Sequence, residues 1–289
     1  MAARLPGPIA FVLAGGASYG AVQVGQLRAL AKTDIAPDMV VGTSVGALNG
    51  TIVAEDPGSA PDRLAALWST VTREDIFGKT LPTAYRLASR QSSAIDSRAL
   101  QSFLERATSA RSFADLKVPH TAVATDFETG EAVALRDGDL VSAVMASAAI
   151  PAIFPAIERD GRTLVDGGVV ANVPINIAAA QGAQTIVVLD CGFTVVAPAQ
   201  ETTLRATLLR TAAIMASQQV RRDLEKVRDR TVLYLPGPWP IRTRPDDFRD
   251  SQELANAAFE LSLEWLSKLR IEGAGRYGKA PSDFLVRKS

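Results

Sequence analysis

One pentapeptide, Gly42-Thr43-Ser44-Val45-Gly46, constrains the fold of this chain more than any other feature. A short apolar run with β-branched residues precedes it, and a segment bearing alanine and leucine that can form a helix follows it. The pattern predicts a strand, a tight turn and a helix, with Ser44 in the turn. A side chain at Gly42 or Gly46 would collide with the neighbouring strand or helix. Ser44 is therefore a candidate nucleophile beside a helix N-terminus, where backbone N–H groups favour developing negative charge.

The same pentapeptide also fits a turn of small residues that only packs a helix against a sheet. Its spacing does not separate the two interpretations. Other parts of the chain have to decide between them.

A glycine-rich loop follows the first predicted strand, Pro8 to Leu13. As a dinucleotide site this loop would need glycine where Ala17 stands, and as a P-loop it lacks the Gly-Lys-Ser/Thr ending. A third interpretation is an oxyanion hole, in which the backbone N–H groups of Gly15, Gly16 and Ala17 face a tetrahedral intermediate formed at Ser44. Tight packing of a strand on a helix would explain the glycines of this loop. It would not explain why the loop occurs together with a Gly-x-Ser-x-Gly turn after the next strand.

A second stretch with chemical potential is Thr163-Leu164-Val165-Asp166-Gly167-Gly168. It predicts a strand that ends at Asp166, followed by two glycines that let the backbone turn closely. An aspartate at a strand end can reach a serine at the end of a neighbouring strand. It equally fits a plain turn residue before a Gly-Gly pair.

The chain has one histidine and one cysteine. His120 precedes every attractive acid, whereas the familiar order in α/β-hydrolases is serine, acid, histidine. We therefore expect His120 to be a residue at the start of a strand rather than a catalytic base. Cys191 alone excludes an intramolecular disulfide and a cysteine-based zinc site, and its place after an apolar run predicts a buried thiol.

Composition narrows the class of protein. Hydrophobic residues make up 47% of the 289 residues, and the 31 lysines and arginines balance the 31 aspartates and glutamates. This predicts a folded chain with a sizeable core and no net field that would attract nucleic acid. Local basic clusters at Arg221-Arg222 and Arg242 to Arg249 are interpreted as solvated faces, with contact to anionic head groups as the alternative.

No segment predicts export or membrane insertion. The apolar run Ile9 to Ala14 is shorter than the roughly 7 to 15 residues of a signal peptide core, and Pro6 and Pro8 interrupt what precedes it. No run approaches the roughly 20 apolar residues of a spanning helix. The sequence therefore predicts a soluble, cytoplasmic protein, with transient contact to a membrane surface as a possibility.

Four features occur in one order and together resemble the patatin-like phospholipase family. They are the glycine-rich loop Gly15 to Gly20, the turn Gly42 to Gly46, the run Ala146 to Pro155, and Asp166-Gly167-Gly168. The resemblance covers about residues 8–190. Beyond it the sequence shows only compatible helices and strands.

The resemblance implies a serine–aspartate dyad in which Ser44 is the nucleophile and Asp166 the general base. It also implies an oxyanion hole at Gly15, Gly16 and Ala17, and it requires no metal or cofactor. The scarcity of histidine agrees with a dyad independently.

Supporting roles are expected for Tyr19 and for three glycines, Gly20, Gly167 and Gly168. The chain departs from the family pattern in the first block, where Ala17 replaces the third glycine and Tyr19 replaces the usual arginine or lysine. Tyr19 thereby removes a positive charge that the resemblance places beside the site.

The expected fold is α/β: a single three-layer α/β/α domain over residues 1–289, with a central, mostly parallel sheet and the C-terminal segment 200–289 packed on it. Within it, Glu74 to Ser93 has weak periodicity and is interpreted either as a partial cover of the site or as an ordinary connection. The expected activity is hydrolysis of lipid acyl esters. Acyl transfer from the same acyl-serine and a non-catalytic, regulatory role remain as alternatives, and the oligomeric state is left open.

Overall fold

The computed structural model describes residues 5–78, 95–195 and 203–285. Its strands follow in chain order as β1 (Ile9–Leu13), β2 (Met39–Thr43), β3 (His120–Asp126), β4 (Ala132–Leu135), β5 (Ile157–Arg159), β6 (Arg162–Asp166), β7 (Thr185–Leu189), β8 (Thr231–Tyr234) and β9 (Gly275–Tyr277). Its helices are α1 (Ala21–Leu30), α2 (Val45–Glu55), α3 (Ala60–Thr70), α4 (Arg73–Phe77), α5 (Arg98–Ala107), α6 (Leu140–Ser147), α7 (Ile175–Ala180), α8 (Leu204–Lys226) and α9 (Ser251–Lys268).

The strands form one sheet in the order β5-β6-β3-β2-β1-β7-β8-β9, with β4 paired to β3. The run from β3 to β9 is parallel, and β4, β5 and β6 are antiparallel additions at one end. The two C-terminal strands extend the same sheet as the strands of the first 190 residues.

Apolar side chains that alternate along the central strands build a core on each face of the sheet. Phe11 and Leu13 of β1 belong to one core, and Ala10 and Val12 belong to the other. Helices α2, α3, α5 and α6 cover the first face, whereas α7 and α8 cover the second. Parallel strands buried on both faces are nearly continuous runs of apolar residues, and β1, β2 and β7 show this apart from Thr43 and Thr185. The predicted α/β fold with a mostly parallel central sheet is confirmed.

Strand β3 brings two distant chain segments end to end. Ala122 and Val123 pair with β2 as well as with β4, while Ala124 and Thr125 pair with β4 as well as with β6. Because a strand residue has one neighbour on each edge, β2 and β6 lie one after the other along the same edge of β3. Their ends therefore meet: β2 ends at Thr43 opposite Val123, and β6 ends at Asp166 opposite Ala124.

Two sequence-based expectations concern segments at the limits of the described chain. Of the predicted cover Glu74 to Ser93, the structure describes only the part up to Gly78, which lies mainly in α4; residues 79–94 lie outside the described ranges. Within the described residues, none of the helices combines the length and the apolar character that crossing a bilayer requires.

Candidate active site

Ser44 occupies a sharp turn between β2 and α2. Its backbone angles are φ 55° and ψ −123°, which are strained for a residue with a side chain. A Cβ at Gly42 would lie 2.3 Å from the carbonyl oxygen of Gly46, and a Cβ at Gly46 would lie 2.2 Å from that of Leu13. Both glycines are therefore required by close approach of the backbone, as the pentapeptide predicted.

The side chains of Ser44 and Asp166 lie close enough to interact, although the two residues are 122 positions apart along the chain. Ser44 is 7% exposed and Asp166 6% exposed. The second partner of the carboxylate is the N–H of Gly168, at 2.6 Å from Oδ1. Burial raises the pKa of Asp166 from 3.8 to about 6, and the hydrogen bonds from Ser44 and Gly168 lower this pKa in part. Asp166 is therefore an anion above about pH 6 and a stronger base than an exposed aspartate.

The glycine-rich loop lies against Ser44, but one of its residues has a different role from the predicted one. The N–H of Gly15 donates to the backbone oxygen of Asn172 at 2.9 Å, so it is not free to face a reacting oxygen. A Cβ at Gly15 would lie 3.4 Å from the Cβ of Ser44, which explains the glycine by space. Within the described ranges, the N–H groups of Gly16 and Ala17 have no hydrogen-bond partner. These two groups are the available donors of the loop.

The side chain of Tyr19 is directed toward the C-terminal segment of the chain. Its side chain is fully buried, and its hydroxyl donates to the backbone oxygen of Thr243 at 2.5 Å. The neighbouring Ser18 donates its backbone N–H to Pro245 at 3.0 Å. Burial, followed by the charge of Asp246, raises the pKa of Tyr19. Tyr19 therefore anchors the C-terminal segment over the loop and does not supply charge to the site.

Ala17 takes a positive φ of 51°, which favours glycine. A Cβ in this conformation destabilises the folded protein by about 1 kcal/mol or more. Glycine at this position would remove that strain, but its greater flexibility in the unfolded chain would offset part of the stabilisation. We expect Ala17→Gly to leave the free energy of unfolding unchanged or raise it by up to about 1 kcal/mol.

The matched control for this substitution is Ala66→Gly in the exposed face of α3, where the same change should destabilise by about 1 kcal/mol. Urea unfolding of both variants checks the prediction. Equal destabilisation at the two positions would contradict a strained Ala17.

An apolar cleft opens beside Ser44. It encloses about 530 Å³, part of it open to solvent. Ser44 and Ala17 share it with a lining that is otherwise apolar and partly aromatic: Val45, Leu48, Trp68, Val71, Ile76, Phe77, Leu100, Phe103, Val144, Ala148, Ile150, Phe154 and Phe248. The rings of Phe77 and Phe154 stack with centroids 5.6 Å apart, and those of Trp68 and Phe248 with centroids 6.0 Å apart. A cleft of this chemistry accepts an acyl chain and offers almost nothing to a charged ligand.

A buried polar chain fixes one wall of the cleft. Trp68 donates its indole N–H to Asn49, which donates to Gln23, which in turn donates to the backbone oxygens of Ala14 and Leu189. Trp68, Asn49 and Gln23 are each at most 6% exposed. The network therefore ties the aromatic wall to the strand ends that carry the glycine-rich loop.

Neither His120 nor Cys191 is hydrogen-bonded to Ser44 or Asp166. His120 pairs with Val40, three residues before the end of β2, so it lies about 10 Å back along the sheet from the turn. Burial lowers its pKa to about 4, and its Nδ1 faces the oxygen of Val40 at 3.2 Å. Cys191 is fully buried, donates to the oxygen of Ala14 at 3.4 Å and has a raised pKa because of burial. Among the described residues, no group of three or more His, Cys, Asp or Glu side chains could hold a metal ion.

Sequence reasoning did not find two polar residues of this site. Asn172 accepts the N–H of Gly15 through its backbone oxygen, and Ser147 accepts the N–H of Ser44 through its hydroxyl. Both lie inside or next to stretches that the sequence marked out, but nothing local to them indicated these partners.

The sequence model described as "Patatin-like phospholipase" matches residues 11–179. The chain belongs to the patatin-like phospholipase family. The matched region contains the turn at Ser44, the glycine-rich loop with Gly16 and Ala17, and Asp166. The family resemblance expected from the four sequence blocks is therefore confirmed.

Curated relatives of this patatin-like chain are much longer proteins. Patatin-like phospholipase domain-containing protein 7 of Mus musculus is 31% identical over 186 residues, which are 64% of this chain and 14% of that protein. Lysophospholipase NTE1 of Mycosarcoma maydis is 28% identical over 197 residues, 66% of this chain and 10% of that protein. The solved structure of VipD from Legionella pneumophila aligns with a TM-score of 0.45 at 13% identity, over 91% of this chain and 67% of that chain. The chain thus spans about a seventh or less of the length of these two curated relatives.

Proposed function

We propose that this chain hydrolyses acyl esters of lipids through a covalent intermediate on Ser44, with Asp166 as general base. One observation carries the proposal: the Ser44 hydroxyl interacts with a buried carboxylate beside an apolar cleft. A raised pKa makes that carboxylate a better base, and the proximity of the two side chains gives the proton a short path. No metal or cofactor enters the proposed chemistry.

In the first half-reaction, the Oγ of Ser44 attacks the ester carbonyl while its proton passes to Asp166. The N–H groups of Gly16 and Ala17 receive the negative oxygen, and each such donor typically contributes about 10² to 10³ in rate. Collapse of the tetrahedral intermediate breaks the ester C–O bond. The departing alcohol takes the proton from Asp166, leaving an acyl-serine.

In the second half-reaction, a water molecule attacks the acyl-serine and gives its proton to Asp166. The same two N–H groups hold the second tetrahedral intermediate. Ser44 leaves with the proton from Asp166, and a fatty acid is released. The enzyme returns to its starting state with atoms and protons balanced.

The cleft supports a lipid as the acyl donor. Its apolar lining would remove an acyl chain from water, with about 0.8 kcal/mol for each buried CH₂ group. The relatives, a lysophospholipase and a patatin-like phospholipase domain-containing protein, carry names that point to the same substrate class. The same acyl-serine could pass its acyl group to another acceptor, and product analysis with added alcohols would separate transfer from hydrolysis.

The experiment that tests the proposal is intact-mass analysis of the protein after reaction with an alkyl fluorophosphonate and with a panel of phospholipids, lysolipids and acyl thioesters. One adduct per chain, which digestion of the labelled protein assigns to the peptide that contains Ser44, is the expected result. Absence of any adduct, together with no fatty acid release, would overturn the proposal in favour of a non-catalytic role.

The edge of the sheet that carries the site is also proposed to touch the lipid surface. Phe127 follows the end of β3 and is 65% exposed, and Val169 lies three residues after Asp166 and is 45% exposed. Exposed aromatic and aliphatic side chains at the edge that receives a lipid can insert into the interface of a bilayer.

We expect Phe127→Ser to weaken co-sedimentation with phosphatidylcholine vesicles about tenfold, because it withdraws one large apolar group from the interface. Hydrolysis of a soluble short ester should not change. Leu261→Ser is the control, since Leu261 is 41% exposed but lies on α9, three turns from the helix start at this edge. Equal effects of the two substitutions on vesicle binding would count against this surface.

A further inference from the structure

The hydroxyl of Ser147 supports the strained backbone of Ser44. Ser147 is the last residue of α6 and is fully buried. Its Oγ accepts the backbone N–H of Ser44 at 2.9 Å and donates to the backbone oxygen of Val123 at 2.5 Å. Because its one proton is committed to Val123, a lone pair of the same oxygen faces Ser44. The hydroxyl thus links the nucleophile turn to β3.

Ser44 needs an external partner for its N–H. Its φ of 55° and ψ of −123° belong neither to the strand before it nor to the helix after it, so neither backbone ladder receives this donor. A buried N–H without a partner costs about 1 to 3 kcal/mol. Ser147 removes that cost only while Ser44 keeps its unusual conformation, so the hydrogen bond favours the conformation that directs Oγ toward Asp166.

The same short segment also holds Asp166. Two residues beyond Ser147, the backbone oxygen of Ala149 accepts the N–H of Asp166 at 2.9 Å. The three-residue segment from Ser147 to Ala149 therefore accepts hydrogen bonds from the backbone N–H groups of both Ser44 and Asp166. Ala148 within it and Ile150 after it line the apolar cleft. The run Ala146 to Pro155 thus contacts the backbones of Ser44 and Asp166 and also lines the apolar cleft.

We propose that Ser147 is a positioning residue, whose hydroxyl sets the distance between the Oγ of Ser44 and the carboxylate of Asp166 by holding the Ser44 backbone. This inference rests on the proposed function, because positioning matters only if Ser44 reacts. Ser147 itself touches no reacting atom. Its contribution passes through the geometry of the Ser44–Asp166 hydrogen bond.

The test compares Ser147→Ala with Ser142→Ala, a matched serine on the same helix that is partly exposed and five residues earlier. The kcat and KM for p-nitrophenyl butyrate are measured from pH 4 to 9. For Ser147→Ala we expect kcat to fall about 10- to 100-fold with KM changed less than about threefold, since a small misplacement has effects of this size. Ser142→Ala should match the wild type.

The pH profile separates positioning from plain structural support. The hydrogen bond from Ser44 lowers the pKa of Asp166, so a loosened bond should move the acid limb of kcat/KM to higher pH. A merely structural serine would lower the melting temperature and leave both kcat and the acid limb of the folded enzyme unchanged. That result, or wild-type kcat in Ser147→Ala, would overturn the inference.

Two further measurements keep the inference separable from the proposed function. If Ser147→Ala does not fold, Ser147→Cys carries the same test, because a thiol fills similar space and hydrogen-bonds weakly. The titration of Asp166 can also be followed without turnover by NMR of carboxyl-labelled aspartate, assigned by difference with Asp166→Asn. If the wild type has no activity but the pKa of Asp166 shifts in the Ser147 variant, only the proposed function is contradicted. If the wild type is active but the pKa of Asp166 does not shift in the variant, only this inference is contradicted.

Discussion

Ser44→Ala is expected to lower kcat/KM for a p-nitrophenyl ester by about 10⁴-fold or more, with the fold intact. Removing the nucleophile of a serine hydrolase has effects of this size because no other group can form the acyl intermediate. Neither the buried His120 nor the buried thiol of Cys191 can substitute from its position. The measurement is steady-state hydrolysis together with labelling by a fluorophosphonate probe.

Folding of the Ser44→Ala variant is checked by its thermal unfolding curve. The strained turn is imposed by close backbone approach at Gly42 and Gly46, so the methyl group should be held in the same place. Ser142→Ala serves again as the control for loss of a hydroxyl outside the site. Wild-type hydrolysis or full probe labelling of Ser44→Ala would remove Ser44 from the mechanism.

Asp166→Asn is expected to lower kcat by about 10²- to 10⁴-fold, because the amide cannot take the proton of Ser44. For the wild type, kcat/KM should fall about tenfold for each pH unit below about pH 6, the pKa to which burial raises Asp166. The variant should lack this acid limb. Activity in the variant that still follows an acid limb near pH 6 would mean that another group is the base.

The same substitution should stabilise the protein at neutral and alkaline pH. Burial raises the pKa of Asp166 from 3.8 to about 6, so the unfolded chain ionises this group at lower pH than the folded protein does. Below about pH 4 both states are protonated and the aspartate has no effect. As pH rises to about 6, the folded state loses stability relative to the unfolded chain, by about 3 kcal/mol for a shift of two pKa units.

Asp166→Asn removes this pH-dependent loss. Its free energy of unfolding should exceed that of the wild type by up to about 3 kcal/mol at pH 8, and the difference should vanish near pH 4. Asp126→Asn is the matched control at the end of β3, because Asp126 is equally buried but makes its hydrogen bonds to the turn residues Glu128 and Thr129. If the difference in the free energy of unfolding between Asp166→Asn and the wild type does not depend on pH, the pKa of Asp166 is not raised in the folded protein.

The sequence alone predicted the features of the backbone that depend on neighbouring residues. The glycines at positions 42 and 46 predicted the turn correctly, since close backbone approach leaves no room for a Cβ at either. The strands that end at Leu13, just before Ser44 and at Asp166 also followed from local patterns. The chain order of the single histidine, which precedes every attractive acid, already argued against the usual triad.

Local reasoning failed where a partner lies far along the chain. The N–H of Gly15 looked like an oxyanion donor, but Asn172, 157 residues away, accepts it. Tyr19 was expected to have a supporting role without a charge, and its hydroxyl donates to the backbone oxygen of Thr243, 224 residues away. In both cases the partner lies too far along the chain for neighbouring residues to indicate it.

What the sequence by itself determined, then, is which residues can take strained or closely packed backbone conformations, because those limits are set by the presence or absence of a Cβ. Tertiary structure alone decided which groups meet. The shared edge of β3 brings the ends of β2 and β6 together, and Ser147 reaches Ser44 across 103 residues. Such contacts depend on strand register and on the packing of separate helices, and neither is encoded in any short stretch of the chain.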